Sequence, residues 1–213
     1  MSSTPEATGT RVSTAGYTPI GVDLGVKRLL VAAPADADPD VSDALVVGGG
    51  AERDLYNGLG DTLARLDELA VDTDEAEAEA VETYRSLLRQ RFDLAAQALV
   101  KYADRHDADV VALEDIGYES GMLAECARGR TKAGEWVLPA FRGHLEAVLA
   151  AEGYRVERVD ATYSTQRCHV CGELADVSRA TITCETDDCP VGRVCRDRSA
   201  AVTIAGRAEA YRD

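Results

Sequence analysis

Residues 18–35 have the sequence TPIGVDLGVKRLLVAAPA, and this stretch decides the fold. It contains two apolar runs, at residues 20–24 and 29–33, which are separated by Gly25 and a basic pair. Such a pattern predicts a β-hairpin, because short apolar runs on either side of a glycine-containing turn tend to pair. The residues ALVV at 44–47 precede three glycines and predict a third strand. We therefore expect three antiparallel strands at the start of the fold.

The remainder of the chain alternates between helices and strands. Residues 54–69 and 75–108 carry apolar side chains at helical spacing, and residues 136–152 predict another helix. Residues 109–117, DVVALEDIG, predict a central strand that ends in two carboxylates, and residues 154–159 predict a further strand. A last helix with a narrow face of small residues follows Asp197. The whole pattern indicates an α/β fold with a mixed sheet.

Length and composition favour one domain, or one domain with a small module. The chain has 213 residues, of which 46% are hydrophobic, so it can bury one substantial core. No apolar stretch approaches the roughly 20 residues of a membrane span, and the Ser/Thr-rich first residues lack the pattern of a signal peptide. A cytoplasmic protein with no membrane partner is expected. Residues 1–18 carry no apolar period and predict a flexible arm.

The formal net charge of −15 by itself argues against a nucleic-acid partner. The composition, however, is similar to that of proteins from halophilic organisms such as haloarchaea, with 23 Lys and Arg against 38 Asp and Glu. In molar salt the Debye length is only about 3 Å, so a basic patch would attract phosphates weakly in any case. Contacts to nucleic acid would come from arginines, backbone amides and divalent ions. The net charge therefore does not exclude DNA or RNA.

Five of the six cysteines lie between residues 168 and 195, which indicates a metal site because a reducing compartment disfavours disulfides. The motifs CHVC and CETDDC each offer two thiolates, and a hairpin between them can bring both pairs to one zinc ion. The predicted zinc ligands are Cys168, Cys171, Cys184 and Cys189. The wide spacing of the second pair leaves Cys195 as an alternative fourth ligand. Cys126 is expected to be a small buried hydrophobic residue, and His169 is expected to point outward.

Three acidic residues fall on different predicted elements and are candidate ligands for catalytic cations. Asp23 lies on the first strand, Glu114 ends the fourth strand, and Asp197 begins the last helix. Hydrolysis of a phosphodiester by two hard cations needs carboxylates from separate elements that meet at one point. Each residue also has a simpler explanation, namely a turn former for Asp23, a solvated strand end for Glu114 and a helix N-cap for Asp197.

Four motifs occur in a fixed order along the chain. They are GVDLGVKRLL (21–30), VVALEDIG (110–117), VERVDATYSTQRCHVCGE (156–173) and CRDRSAAVTIA (195–205). Together they resemble the C-terminal half of the TnpB (OrfB) proteins of insertion sequences, over residues 19 to 210. The resemblance implies a RuvC-like nuclease domain of the RNase H fold, which is an α/β mixed sheet flanked by helices with a small inserted zinc ribbon. Family members, long classified as transposases, are RNA-guided DNA endonucleases related to type V CRISPR nucleases.

The resemblance also implies domain limits and residue roles. Residues 19–162 and 195–213 correspond to the RuvC-like domain, and residues 163–194 correspond to the zinc ribbon. The catalytic acidic residues of the family fall on Asp23, Glu114 and Asp197, which would bind magnesium or manganese for two-metal hydrolysis. The zinc cysteines of the family fall on the four cysteines predicted above. The implied partners are DNA and, in the family context, a guide RNA.

Two departures from the family pattern bear on function. Ser199 and Thr203 stand where the last motif usually has asparagine, at positions expected to support or pack rather than to bind metal. Residues 1–18 do not replace the N-terminal modules that hold guide RNA and read the target, so a separately encoded N-terminal half is a candidate partner. A metal-dependent DNA nuclease core is the first interpretation, and a non-catalytic nucleic-acid-binding remnant or regulator is the alternative. An actin-like ATPase would need a duplicated fold, for which the chain is too short.

Overall fold

The computed structural model describes residues 18–117 and 119–208. The arm predicted for residues 1–18 lies outside this part of the chain, apart from its last residue. In chain order the elements are β1 (Ile20–Leu24), β2 (Arg28–Pro34), β3 (Leu45–Gly48), α1 (Gly50–Asp67), α2 (Asp74–Arg105), β4 (Val110–Glu114), α3 (Leu123–Arg128), α4 (Ala133–Ala151), β5 (Arg155–Val159), β6 (Asp176–Val177), β7 (Thr181–Thr183), β8 (Arg193–Cys195) and α5 (Arg196–Ala205).

Within the described residues, the larger sheet has five strands in the order β3-β2-β1-β4-β5. Strands β1, β2 and β3 pair antiparallel, whereas β4 pairs parallel with both β1 and β5. A smaller sheet of β6, β7 and β8 carries the cysteine-rich segment. The predicted α/β fold, a mixed sheet flanked by helices with a small cysteine-bearing ribbon, is confirmed.

The two faces of the larger sheet carry different cores because side chains alternate along each strand. On β1, Val22 and Leu24 belong to the main core, which also contains buried residues of α1, α2 and α4. On β4, Ala112 packs instead with Ile204 of α5. The three long helices therefore cover one face, and α5 covers part of the other.

Helix α5 lies directly on β1, and Gly21 makes this close approach possible. A Cβ atom at Gly21 would lie 2.1 Å from the carbonyl oxygen of Ala201 and 2.2 Å from the backbone nitrogen of Ala205. The helix presents small side chains here, as predicted, and Ala200, Ala201 and Ala205 are fully buried. A glycine on the strand and alanines on the helix thus bring the start of α5 close to the end of β1.

The ribbon shares a hydrophobic core with the larger sheet. Ile182 of β7 packs in one cluster with Val31 of β2 and Val202 of α5. Strand β8 also continues directly into α5, so it crosses the boundary predicted at residue 194. The ribbon is therefore attached to α5 both by the chain and by side-chain packing.

Several local features differ from the sequence-based expectations. Helix α3 was not predicted, because six residues are too short to show a helical period. Cys195 occupies the N-cap position of α5, with Asp197 inside the first turn, so the N-cap explanation for Asp197 is wrong. Cys126 is half-buried at the edge of the main core rather than fully buried. None of the described helices combines the length and apolar character needed to cross a bilayer.

Candidate metal centres

Asp23 and Glu114 lie side by side on neighbouring parallel strands. Strands β1 and β4 pair with Val22 opposite Leu113, and the next residue along each strand is the acidic one. Because side chains alternate, both carboxyl groups turn to the face on which α5 lies. The backbone N–H of Leu24 donates to Glu114 Oε1 at 2.8 Å, which holds the glutamate against the end of β1.

Asp197 approaches the same place from the first turn of α5. Burial, followed by the charges of Glu114 and Asp197, raises the pKa of Asp23 to about 8. Burial also raises the pKa of Glu114 to about 7, against the lowering effect of the Leu24 N–H. A divalent cation would relieve this mutual repulsion, and carboxylate oxygens are the ligands that Mg²⁺ and Mn²⁺ prefer. The donor set therefore fits a hard cation.

The three carboxylates are close to one another without forming a compact ligand group. Over residues 18–117 and 119–208, the four predicted zinc cysteines are the only group of three or more His, Cys, Asp or Glu side chains whose ligand atoms all lie within 4.8 Å of one another. A pair of ions about 4 Å apart does not require so short a separation between all three carboxylates.

Two arginines contact the Asp197 carboxylate, and neither was expected from the sequence. Arg28 Nη1 donates to Asp197 Oδ2 at 2.6 Å, and Arg196 Nε donates to Asp197 Oδ1 at 3.3 Å. Arg28 begins β2, 169 positions before Asp197. Only the pairing of distant elements brings these residues together, so no local pattern could have indicated Arg28.

The four predicted zinc cysteines come together in the ribbon. The Sγ atoms of Cys168 and Cys189 are 3.7 Å apart, and those of Cys171 and Cys184 are 3.6 Å apart. A tetrahedral zinc ion with Zn–S bonds of about 2.3 Å would hold its sulfur ligands about 3.8 Å from one another. The cluster could therefore bind zinc with little rearrangement.

Two other candidate ligands lie outside this cluster. The Sγ atom of Cys195 accepts a hydrogen bond from Arg28 Nη1 at 3.3 Å and faces the acidic residues instead of the cysteines. His169 lies between two cluster cysteines in sequence, but its ring nitrogens are not part of the group. The expectation that it points outward is wrong, because its Nδ1 atom contacts Ser199 of α5 and its Nε2 atom is buried. The geometry favours Cys189 over Cys195 as the fourth ligand.

Comparisons with known proteins relate the ribbon and α5 to one protein family. Residues 140–204 match the family model described as "Cas12f1-like, TNB domain". A Cas12f1–sgRNA–target DNA complex is similar at a TM-score of 0.62 and 16% identity, covering 91% of this chain and 51% of that chain. A CRISPR-Cas12f ternary complex is similar at a TM-score of 0.63 and 14% identity, covering 93% of this chain and 40% of that chain. A search of curated proteins gives no significant match.

Fold and site together define a mixed α/β protein in which a cysteine ribbon leads into the helix that carries Asp197. The family-model match covers the segment from α4 through the ribbon to α5, and the likeness to the two Cas12f structures shows that the fold is shared with them. The chain spans about half of the length of the first similar structure and two fifths of the second.

Proposed function

We propose that this chain is the nuclease core of a TnpB/OrfB-type protein and that it hydrolyses DNA with two divalent cations. The proposed magnesium or manganese ligands are Asp23, Glu114 and Asp197. The observation that carries this proposal is the convergence of the three carboxylates, which come from two strands and a helix. The charges of Glu114 and Asp197 raise the pKa of Asp23 in addition to its burial, which indicates that the three carboxylates are close to one another.

The strands and the helix have different tasks in this proposal. Asp23 and Glu114 are held rigidly, because both lie at the end of paired strands and Glu114 accepts the Leu24 N–H. When bound, divalent cations supply charge neutralisation at the phosphate and lower the pKa of a water molecule that can act as nucleophile. Both Asp197 oxygens accept hydrogen bonds from arginines, Oδ2 from Arg28 and Oδ1 from Arg196, so a cation bound there would require these two guanidinium groups to adjust. The helix residue is thus the adjustable ligand.

Zinc has a structural role in this proposal, with residues 163–194 as its module. The ligands are the four clustered cysteines. A closed four-thiolate site leaves no position for a substrate, so it stabilises the fold rather than taking part in chemistry. Because the ribbon packs on β2 and α5, an ordered ribbon also keeps the Asp197 helix in place.

DNA is the proposed substrate, and a guide RNA is the proposed companion. The support is that one similar structure is a complex with sgRNA and target DNA. This chain covers only about half of the length of that similar protein. We propose that recognition of the guide and of the target is supplied by a further polypeptide, such as a separately encoded N-terminal half.

Cleavage of labelled single-stranded DNA by the zinc-loaded chain, in high salt with Mg²⁺ or Mn²⁺, tests the nuclease proposal. Asp23→Ala and Glu114→Gln should each reduce the cleavage rate by at least about a hundredfold, because each removes a cation ligand. Asp160→Asn is a matched control, since Asp160 is an exposed acid just beyond the end of β5. Unchanged cleavage by Asp23→Ala would show that the site assignment is wrong.

One observation favours the alternative, a non-catalytic nucleic-acid-binding protein. Both oxygens of Asp197 are hydrogen-bonded to arginines, which is also how a purely structural acidic residue would be held. In that case the chain should bind single-stranded DNA or RNA in high salt, and binding should be the same with and without divalent cations. No cation-dependent cutting should then occur in any variant.

A further inference from the structure

Arg28 is placed where it can compete with a cation for Asp197. Its Nη1 atom lies 2.6 Å from Asp197 Oδ2, which is a short, charge-assisted hydrogen bond. The same nitrogen donates to Cys195 Sγ at 3.3 Å, so the guanidinium is directed toward the start of α5. A cation bound to Oδ2 would lie close to the positively charged guanidinium, so the two would repel each other unless Arg28 moved away.

The Arg28 side chain can leave this position at low cost. It is 37% exposed, whereas the buried arginine of the fold, Arg142, is 2% exposed and bonded to acidic residues on two sides. A guanidinium at the surface can exchange an ionic partner for water or phosphate at little solvation cost to itself. The guanidinium can therefore turn toward solvent without crossing the core.

Arg28 offsets part of the negative charge of the acidic group. Asp23, Glu114 and Asp197 form a half-buried acidic group, and the charges of Arg196 and Arg28 both act to lower the pKa of Asp23. The guanidinium of Arg28 thus does part of what a divalent cation would do in the same place. Two positive groups close to the same carboxylate repel each other, so each weakens the binding of the other.

We propose that Arg28 is a positioning residue, an internal counter-ion of Asp197 that a divalent cation displaces, and that it thereby sets the cation affinity of the acidic group. The inference rests on the proposed function only in taking the three carboxylates as a cation site. Once displaced, the Arg28 guanidinium lies at the edge of that site with its donors available to a phosphate oxygen of the substrate.

The test is Mn²⁺ binding to the zinc-loaded chain, measured without nucleic acid by calorimetry and by the loss of the free Mn²⁺ paramagnetic resonance signal. Arg28→Gln should bind Mn²⁺ about fivefold more tightly than the unaltered chain, which is the effect of removing a competitor worth about 1 kcal/mol. Arg28→Lys keeps the charge but not the planar fork and should be intermediate. Asp23→Asn should abolish this binding and so identifies the site.

Arg193→Gln is the matched control. Arg193 lies four positions before Asp197, and its Nε donates to the Thr181 hydroxyl rather than to a carboxylate. The Arg193→Gln substitution removes one positive charge without removing a competitor for Asp197. The Mn²⁺ affinity should therefore stay within about twofold of that of the unaltered chain. Equal tightening by Arg193→Gln and Arg28→Gln would overturn displacement in favour of a general charge effect.

Unchanged or weaker Mn²⁺ binding by Arg28→Gln also overturns the proposal, because Arg28 would then be neutral or part of the cation-bound geometry. The outcome is independent of cleavage. Asp23-dependent Mn²⁺ binding that Arg28→Gln tightens, without any DNA cutting, would support Arg28 as counter-ion and refute the nuclease function. DNA cutting by a chain whose Mn²⁺ affinity is unchanged by Arg28→Gln would support the nuclease function and overturn the role of Arg28 as counter-ion.

Discussion

His169 of the ribbon and Ser199 of α5 are joined by a hydrogen bond, with His169 Nδ1 3.0 Å from Ser199 Oγ. Ser199 is fully buried and lies two positions after Asp197. His169 lies between Cys168 and Cys171 in the CHVC motif. The cysteine cluster and helix α5 are therefore linked by a specific polar contact in addition to their shared core.

Ser199→Ala should lower the free energy of unfolding of the zinc-loaded chain by about 1–3 kcal/mol in urea titrations at neutral pH. Burial lowers the pKa of His169, and the substitution removes the hydroxyl that its Nδ1 atom contacts, together with the longer hydrogen bond of 3.4 Å from that hydroxyl to the Arg167 carbonyl. The control is Thr203→Ala, which loses only a hydroxyl bond to the Ser199 carbonyl one helical turn away. Equal losses for the two variants would mean that the histidine contact contributes nothing specific.

Cys189→Ser should remove bound zinc, whereas Cys195→Ser should retain one zinc ion per chain. The reason is geometric, since Cys189 Sγ lies 3.7 Å from Cys168 Sγ while Cys195 Sγ faces Arg28. Zinc content after gel filtration, measured by mass spectrometry of the metal, decides the matter. Loss of zinc from the Cys195 variant alone would identify Cys195 as the fourth ligand.

Gly21→Ala should destabilise the chain severely, by more than about 3 kcal/mol, because the new methyl group would overlap backbone atoms of α5. Gly143→Ala on α4 is the matched control, since a Cβ there meets nothing within 4 Å. In a helix that change should raise stability by up to about 1 kcal/mol. Thermal and urea unfolding of both variants provide the comparison. A well-folded Gly21→Ala chain of unchanged stability would contradict the close packing of α5 on β1.

Asp23→Asn should stabilise the zinc-loaded chain at pH 8 in the absence of Mg²⁺ and Mn²⁺, and the gain should shrink as the pH falls toward 4. The folded-state pKa of about 8 lies above the ordinary value of 3.8, so the folded chain holds more protons than the unfolded chain between these values. Stability therefore falls as pH rises through this window, and a neutral side chain removes that loss.

Unfolding curves at several pH values would show this trend for Asp23→Asn. The same substitution at the exposed Asp61 on α1 should have little effect at any pH. A pH-independent gain at Asp23 would show that its carboxyl is charged in the folded chain.

The regular part of the fold was predictable because it depends on local patterns. The hairpin around Gly25 and the apolar strand before Glu114 are short apolar runs bounded by turn residues, which favours strands over helices. Helix α3 was missed because a helix of six residues shows less than two turns of pattern. The position of Asp197 inside the first turn of α5 was also beyond the sequence, since an N-cap is recognised by backbone angles.

The candidate site was predictable in its acidic and cysteine residues but not in their surroundings. Spacing along the chain indicated the two cysteine pairs. Only the folded ribbon shows that Cys189, and not Cys195, joins the cysteine cluster. Arg28 could not be foreseen, because a basic residue after a glycine turn has many solvated explanations. Long-range contacts such as Arg28 with Asp197 depend on the packing of α5, which no local pattern specifies.

The close contact of α5 with β1 also determines when the acidic group can exist during synthesis. Chains leave the ribosome from the N-terminus onward, and Arg28 and Asp197 are separated by 169 positions. Asp23 and Glu114 can pair while the ribbon and α5 are still being made, but the third carboxylate arrives only after the cysteines have been translated. The nascent chain is therefore unable to assemble the complete acidic group until the ribbon has had the opportunity to take up its metal.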